Sequence, residues 1–484
     1  MNVNLFRSAV HVAAICGLYL STAMVIPALI DLHFGHRDWT VFVFSGLMTG
    51  GLSLGAALAT SGSPPPFNKR FGFILVNILW LSFSLIGALP IYLSSLNLSF
   101  AQALFEAVSA ITTTGGTVIT GLDRAPPGIL LWRSMLCWFG GIGIVALGLF
   151  ILPFLHVGGI AFFKMESSDT NDRPFAKLGS FIRAFIAIYI LLTVVCTVAY
   201  DLAGMTHFDA LNHAMSTVAT AGFSTHDASF AYFDSTAMLW ISSIFLTLCS
   251  LPFSVLILFA VRGRLDTLRD PQIIVFLGYL TAFSLAVAAY HHVRNAVPFG
   301  DALTHAVFNM ASILSTGGFA SEDYTLWGPF VVVIAFFATF IGGCSGSTAG
   351  GIKAYRLIIL FNMFRTGLRR LIYPNGVFSI RYGNIIVDDD MQRAVMLYLV
   401  AFLALWVAGS LVLAALGYDV VTSISAVATS LANVGPGIGP TIGPAGNFST
   451  LSAPALHMLS LLMLLGRVEI LTVLVLAMPT FWRN

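Results

Sequence analysis

Charge is what this sequence has least of. Lysine, arginine, aspartate and glutamate together make up 9% of its 484 residues, where soluble domains carry roughly 25%. That scarcity excludes a large water-facing domain. With 57% hydrophobic residues and a mean hydropathy of +0.90, the chain belongs in a bilayer. Cysteine is sparse too: Cys16, Cys137, Cys196, Cys249 and Cys344 are scattered through apolar stretches, without CxxC spacing or histidines at ligand distance. Such a pattern argues against a disulfide framework or a zinc site, and the five read as small core residues. No phosphate loop of Gly-Lys-Ser/Thr order follows a strand pattern, and no nucleophile-and-base or metal-cluster spacing occurs. The chain is therefore expected to be no enzyme, and to bind neither a cofactor nor nucleic acid.

What is abundant is membrane-length apolar sequence. The first run, from Val10 to about Ile30, exceeds the roughly 7 to 15 residues of a signal-peptide core and reads as a retained helix. A second spans about Thr40 to Thr60 and closes at Ser61-Gly-Ser-Pro-Pro-Pro66, because consecutive prolines lack the helix N–H. A unit of spanning helix, short helix, glycine loop and return helix then occurs four times. Outer helices are expected near Phe71 to Leu93, Phe181 to Tyr200, Ile273 to Tyr290 and Ala394 to Leu416. Short helices follow at Phe100 to Ile111, Asp209 to Val218, Asp301 to Leu314 and Asp419 to Leu431, with aspartates as N-caps. Return helices are expected at Gly128 to Phe154, Ala237 to Val261, Trp327 onward and Leu451 to Met478. Asp209-Ala-Leu-Asn-His-Ala214 recurs as Asp301-Ala-Leu-Thr-His-Ala306, and the glycine lies four residues further on in the later copy, a third short helix longer by about one turn.

The domains are accordingly 1–66 (two N-terminal helices), 67–170, 171–265, 266–385 and 386–484 (four repeats). The fold class is an all-α polytopic membrane protein, with four pseudo-symmetric repeats around one central pore plus two N-terminal transmembrane helices. Alternating passes put Arg7, Lys69, Arg70, Lys164, Arg173, Lys177, Arg183, Arg262, Arg264, Arg269, Lys353, Arg356, Arg365, Arg369, Arg370, Arg381, Arg393 and Arg483 on one side, and only Arg37, Arg124 and Arg294 on the other. By the positive-inside rule both termini are cytoplasmic.

The short stretches end at Thr113-Thr114-Gly115, Thr220-Ala221-Gly222, Thr316-Gly317-Gly318 and Asn433-Val434-Gly435. Bare backbone at membrane depth is tolerated only inside protein or beside water. Glycine opens conformations that let successive carbonyls face one axis, and a carbonyl ring can replace the water shell of K+. Four short helices aiming their partly negative C-termini at that axis favour cations. The twelve residues named are the expected selectivity filter, with K+ held there alone. None of the loops carries TVGYG, so discrimination against Na+ or Rb+ is expected to be loose.

These loops, together with Gly342-Gly-Cys-Ser-Gly-Ser-Thr-Ala-Gly-Gly-Ile-Lys353, Trp132-Arg-Ser134, Gly140-Gly-Ile-Gly143 and the two extra N-terminal helices, resemble the Trk/Ktr superfamily of potassium transporters, TrkH type. The resemblance covers nearly the whole chain. It implies K+ uptake across a bacterial inner membrane, a homodimer, and a cytosolic nucleotide-binding regulatory subunit of the TrkA kind. Five glycines in the ten residues 342–351, each costing about 1 kcal/mol in a helix, should break the third return helix. The resemblance makes that break an intramembrane gate, with Gly342, Gly343, Gly346, Ser347, Thr348, Gly350, Gly351 and Lys353 as its residues. It also places Arg467, an intramembrane charge, at a constriction under the filter. Glu469, two residues on, is not on Arg467's helical face. His213 and His305 read as packing and hydrogen-bonding groups. Arg133 reads as a snorkelling side chain, and Arg365, Arg369 and Arg370 as an anchor or a surface for anionic lipid or a partner. The alternative function is a K+/H+ or K+/Na+ symporter, which would need midplane carboxylates. Asp201, Asp209, Asp301 and Asp419 fall near helix ends instead.

Overall fold

A computed structural model of the chain describes residues 3–62, 68–146, 174–263 and 268–483. The prolines at 64–66, the return helix beyond 146, and Lys164, Arg173 and Arg264 lie outside them. Two N-terminal segments come first: Val3–Ala23 continuing as Val25–His33, then Trp39–Thr60. The four outer helices are Lys69–Leu93, Pro174–Leu202, Pro271–Asn295 and Asp389–Ala415. Each is long and apolar enough to cross a bilayer.

The four short helices are Phe100–Ile111, His207–Val218, Phe299–Leu314 and Val420–Ala432. Twelve residues rise about 18 Å, well short of the roughly 30 Å hydrocarbon core. The third is four residues longer than the second, as the glycine spacing requires. Their starts differ from the expectation of aspartate caps. Ser99 caps the first through a reciprocal bond pair with Gln102, Thr206 caps the second, and Pro298 precedes the third. Only Asp419 is itself an N-cap, accepting from the Thr422 N–H at 3.0 Å. Asp209 instead occupies the third helical position, bonded back to Thr206.

Return helices two and four were each expected as one helix, and each is a bent pair. Thr236–Cys249 and Phe253–Arg262 meet at a 97° bend, at Pro252, whose ring cannot continue the ladder. Ala453–Arg467 and Ile470–Ala477 meet at 110°, with Glu469 at φ 65°. No proline lies at that second bend, and Gly466 stands just before it. The third return path breaks where expected, between Pro329–Phe340 and Ala354–Ile372. A small hairpin, Arg381–Tyr382 paired antiparallel with Ile385–Ile386, follows it and was not anticipated.

Each return helix packs on the short helix of the next repeat. The first lies against the second short helix, the second against the third, the third against the fourth, and the fourth closes back onto the first. The helices therefore form a ring with no free end. Small residues set its radius: a Cβ on Gly140 would overlap the Ile111 carbonyl, and one on Gly466 the Leu431 carbonyl, the ends of short helices one and four. Trp132 fastens the first return helix outward by donating to the Gly87 carbonyl at 3.0 Å.

Gly140→Val or Gly466→Val should lower the melting temperature of the purified protein, since overpacking costs about 1–3 kcal/mol. Gly143→Ala, whose nearest neighbour is Trp80 at 3.7 Å, should not. Equal melting of all three variants would remove the close-contact argument.

Candidate functional site

All four short helices end in one hydrogen-bond pattern. The amide of the first loop residue bonds three residues back (Thr113 to Ala110, Thr220 to Thr217, Thr316 to Ile313, Asn433 to Ser430). The amide of the second bonds five back (Thr114 to Ser109, Ala221 to Ser216, Gly317 to Ser312, Val434 to Thr429). This is a Schellman ending, and its left-handed residue is ordinarily glycine. Here it is Thr113, Thr220, Thr316 or Asn433, at φ 53, 51, 59 and 56°. A left-handed β-branched residue is a genuine outlier, costing of order 1–3 kcal/mol, and it persists only where its surroundings over-determine it. The glycine that closes each tripeptide, Gly115, Gly222, Gly318 or Gly435, then also takes positive φ, from 75 to 105°.

Those glycines do more than turn the chain. A Cβ on Gly115 would overlap the Ala221 carbonyl oxygen, on Gly222 that of Gly317, on Gly318 that of Val434, and on Gly435 that of Thr114. The contacts run from loop one to two, three, four and back to one. All twelve predicted loop residues are thus gathered into one closed collar, with the four helix C-termini aimed at it. Asn433 stitches it further, donating from Nδ2 to Thr114 Oγ1 at 2.9 Å.

Behind the collar, each short helix latches its own loop. Nine residues before the glycine stand Glu106, His213 and Asn309, and ten before it Ser425. Glu106 accepts from the Val118 N–H at 2.8 Å and from Thr117 Oγ1 at 2.9 Å. His213 bonds Ser224 at 2.9 Å, Asn309 bonds Ser321 at 2.9 Å, and Ser425 accepts from the Ile438 N–H at 3.2 Å. Measured from the glycine, His213 therefore corresponds to Asn309 rather than to His305. Glu106 was missed in the sequence; its signal was a lone carboxylate in an otherwise apolar helix.

Arg133 corrects the snorkelling expectation. It is 1% exposed and pairs Nε with Glu106 Oε1 at 2.7 Å. It also donates to the Ser224 carbonyl at 3.2 Å and stacks its guanidinium 4.1 Å from the Phe223 ring centre. One buried pair thus joins loops one and two. Where the chain leaves the collar, a cavity of about 70 Å³ is lined by Gly115, Gly222, Gly318, Arg133, His226 and Asp227, among others, room for about two waters at roughly 30 Å³ each. His226 stacks on Tyr232 and bonds Asp123 at 2.5 Å. Burial pushes its pKa down, but the Asp209 and Asp123 carboxylates pull harder, and the net shift is upward.

On the opposite side of the collar lies the 342–351 loop. Thr348 is fully buried, its hydroxyl 3.3 Å from the Val218 carbonyl and 3.2 Å from Thr220 Oγ1. Gly350 N–H donates to Thr316 Oγ1 at 2.6 Å, and Gly351 N–H to the Ala432 carbonyl at 2.8 Å. Short helices two, three and four all end on this loop. Gly342 and Gly346 offer their carbonyls to Tyr279 Oη and the Phe253 N–H, Gly343 packs on Ala349, and Ser347 donates to the Cys344 carbonyl. Lys353 donates its ammonium back to the Ala349 carbonyl.

Arg467 reaches the same place, donating Nη1 to the Thr348 carbonyl at 2.9 Å while 2% exposed. Its Nε and Nη2 have no hydrogen-bond partner among the described residues. Glu469 pairs elsewhere, with Arg356 Nη2 at 2.5 Å, and Arg356 lies 3.7 Å over the Tyr398 ring centre. Arg356 is thus a buried ion-pair member, and it holds Glu469 within the bend that follows Arg467.

Breaking a buried pair costs about 3–5 kcal/mol. Glu106→Leu should therefore lower the melting temperature clearly, while Glu106→Leu combined with Arg133→Met should recover most of the loss. A double variant no better than the single would show that the pair is not the source of that cost.

A family model described as a cation transport protein, TrkH, matches residues 40–283 and 272–483. The Trk system potassium uptake protein TrkI of Halomonas elongata is 41% identical over 98% of this chain and 96% of its own length. TrkH of Escherichia coli strain K12 is 36% identical over 99% of this chain and all of its own. The crystal structure of the potassium transporter TrkH from Vibrio parahaemolyticus superposes with a TM-score of 0.91 at 35% identity, covering 100% of both chains. With the collar, the four repeats and full-length similarity in agreement, this chain belongs to the TrkH family of Trk potassium uptake transporters.

Proposed function

We infer that the chain carries K+ into the cell through a gated, channel-like pore whose selectivity filter is the collar of Thr113 to Gly115, Thr220 to Gly222, Thr316 to Gly318 and Asn433 to Gly435. The observation that carries this reading is the closed cycle of glycine-to-carbonyl contacts between the four loops. A collar of that kind presents backbone oxygens at a fixed radius, and four helix C-termini add partial negative charge. K+ is the cargo, and Na+ or Rb+ are competitors. The driving force is the membrane potential, worth about 2.3 kcal/mol per charge per 100 mV.

The 342–351 loop is the gate, resting across the inner face of the collar, and Arg467 adds a positive charge beneath it. Two guanidinium nitrogens without protein partners among the described residues leave that charge available to repel a cation. Opening withdraws Thr348 and Gly350 from the short-helix ends. A cytosolic nucleotide-binding subunit of the TrkA kind drives that movement, and the pore chain works as a homodimer in the inner membrane with both termini inside. The exposed Arg365, Arg369, Arg370, Arg381 and Arg393 all lie beyond the gate, in keeping with that orientation.

In liposomes, current through the purified protein should reverse at the K+ equilibrium potential at any pH; reversal that moves with a proton or Na+ gradient would mean coupled symport. Gly318→Val should bring the K+-to-Na+ preference at least about tenfold closer to unity, and an unchanged ratio would unseat the filter. Arg467→Ala, or deletion of 346–350, should raise Rb+ flux without any partner present. Flux at the wild-type level in both would unseat the gate.

A further inference from the structure

The hairpin that follows the third return path is tied to the loop beneath the collar by a continuous set of side chains. Tyr382, 3% exposed on the hairpin, donates its hydroxyl to Asp270 Oδ1 at 2.7 Å. Asp270 is the N-cap of the third outer helix, and accepts from the Gln272 N–H at 2.9 Å. Gln272, 6% exposed, turns its Oε1 onto the Ser345 N–H at 2.8 Å. Ser345 lies inside the 342–351 loop. Four residues on three chain segments thus join a hairpin outside the membrane helices to the middle of that loop.

A second connection runs in parallel. The hairpin packs Ile380, Tyr382 and Val387 against Tyr355 and Ile359, the first turns of the helix that continues from Lys353. Asn362 of that helix donates to the Arg381 carbonyl at 2.9 Å. At the turn, Gly383 sits where a Cβ would lie 3.2 Å from Pro271 Cγ. The hairpin is therefore seated at once on the start of the outer helix and on the helix leaving the loop. Any displacement of it pulls on Ser345 through Gln272 and on Lys353 through the backbone.

The other loop anchors do not leave the membrane core. Cys344 N–H donates to the Ser250 carbonyl, Phe253 N–H to the Gly346 carbonyl, and Tyr279 Oη to the Gly342 carbonyl. Gln272 is the anchor that communicates with the surface.

We propose that Tyr382, Asp270 and Gln272 are positioning residues that hold the 342–351 loop in its closed place from the hairpin. The proposal rests on the gate reading above. Losing one buried hydrogen bond of about 1 kcal/mol changes an equilibrium about fivefold. Gln272→Met removes the acceptor at nearly constant volume, and Tyr382→Phe removes a single oxygen at the far end.

Each variant of the full chain, in liposomes, should raise Rb+ flux about fivefold and speed amide exchange in the 341–353 segment. The two together should exceed either alone by little, since both open the same connection. Asp270→Asn, whose Oδ1 still accepts from the Tyr382 hydroxyl and the Gln272 N–H, should keep flux and exchange near wild type, a tolerance that a role for the Asp270 charge itself would not produce. Unchanged or lowered flux and exchange in both variants, with Arg467→Ala still raising flux, would overturn the relay and leave the gate standing. If Arg467→Ala also leaves flux unaltered, the gate fails and the relay with it.

Discussion

Four backbone contacts hold the rest of this structure to account. Each loop glycine presses its Cα against the carbonyl oxygen of the next loop, and the cycle closes after four steps. The contact admits no side chain, so the separation of the loops is set by peptide atoms alone. Return helices, short helices and loop latches are then arranged to keep that separation constant. Interiors packed to crystalline density transmit such constraints with little give.

The constraint explains where strain and charge are stored. Thr113, Thr220 and Thr316 occupy a left-handed conformation that glycine would adopt freely. Their backbone can stay there because each lies at a fully buried helix end, locked by two amide bonds. Three arginines are buried nearby, and their partners sort them by role. Arg133 pairs with Glu106 and braces the outer loops, and Arg356 pairs with Glu469 beside the bend in the last helix. Among the described residues Arg467 meets only a carbonyl of the 342–351 loop. A buried charge without a carboxylate is costly, which is why this position reads as function rather than as scaffold.

Much of this was legible from residue order. Apolar runs long enough to span, short helices too brief to do so, and a glycine at one repeated place are enough to locate all twelve loop residues. The five glycines of 342–351 marked the break in the third return path correctly. The bend after Arg467 was not legible: the Glu469 within it is held by Arg356, 113 positions away in sequence. Asp209 and Asp301 looked like N-caps, but the helices start directly after Thr206, which caps the second, and Pro298, which precedes the third without a capping bond, so both aspartates fall inside the first turn. Arg133 looked like a snorkelling side chain because its partner Glu106 sits on another helix. Pairings of that kind leave no periodic trace in a single sequence.

By itself, then, the sequence determined the bilayer as solvent, the fourfold repeat and the site of the glycine loops. Those follow from hydropathy, helix length and backbone freedom, which are local properties. Only the tertiary structure decided that loop one meets loop two and loop four returns to loop one, that the 342–351 loop lies against the short-helix ends, and which carboxylate each buried arginine finds. These contacts join separate segments, from 27 residues apart for Glu106 and Arg133 to 319 for Thr114 and Asn433, and packing in three dimensions selects them.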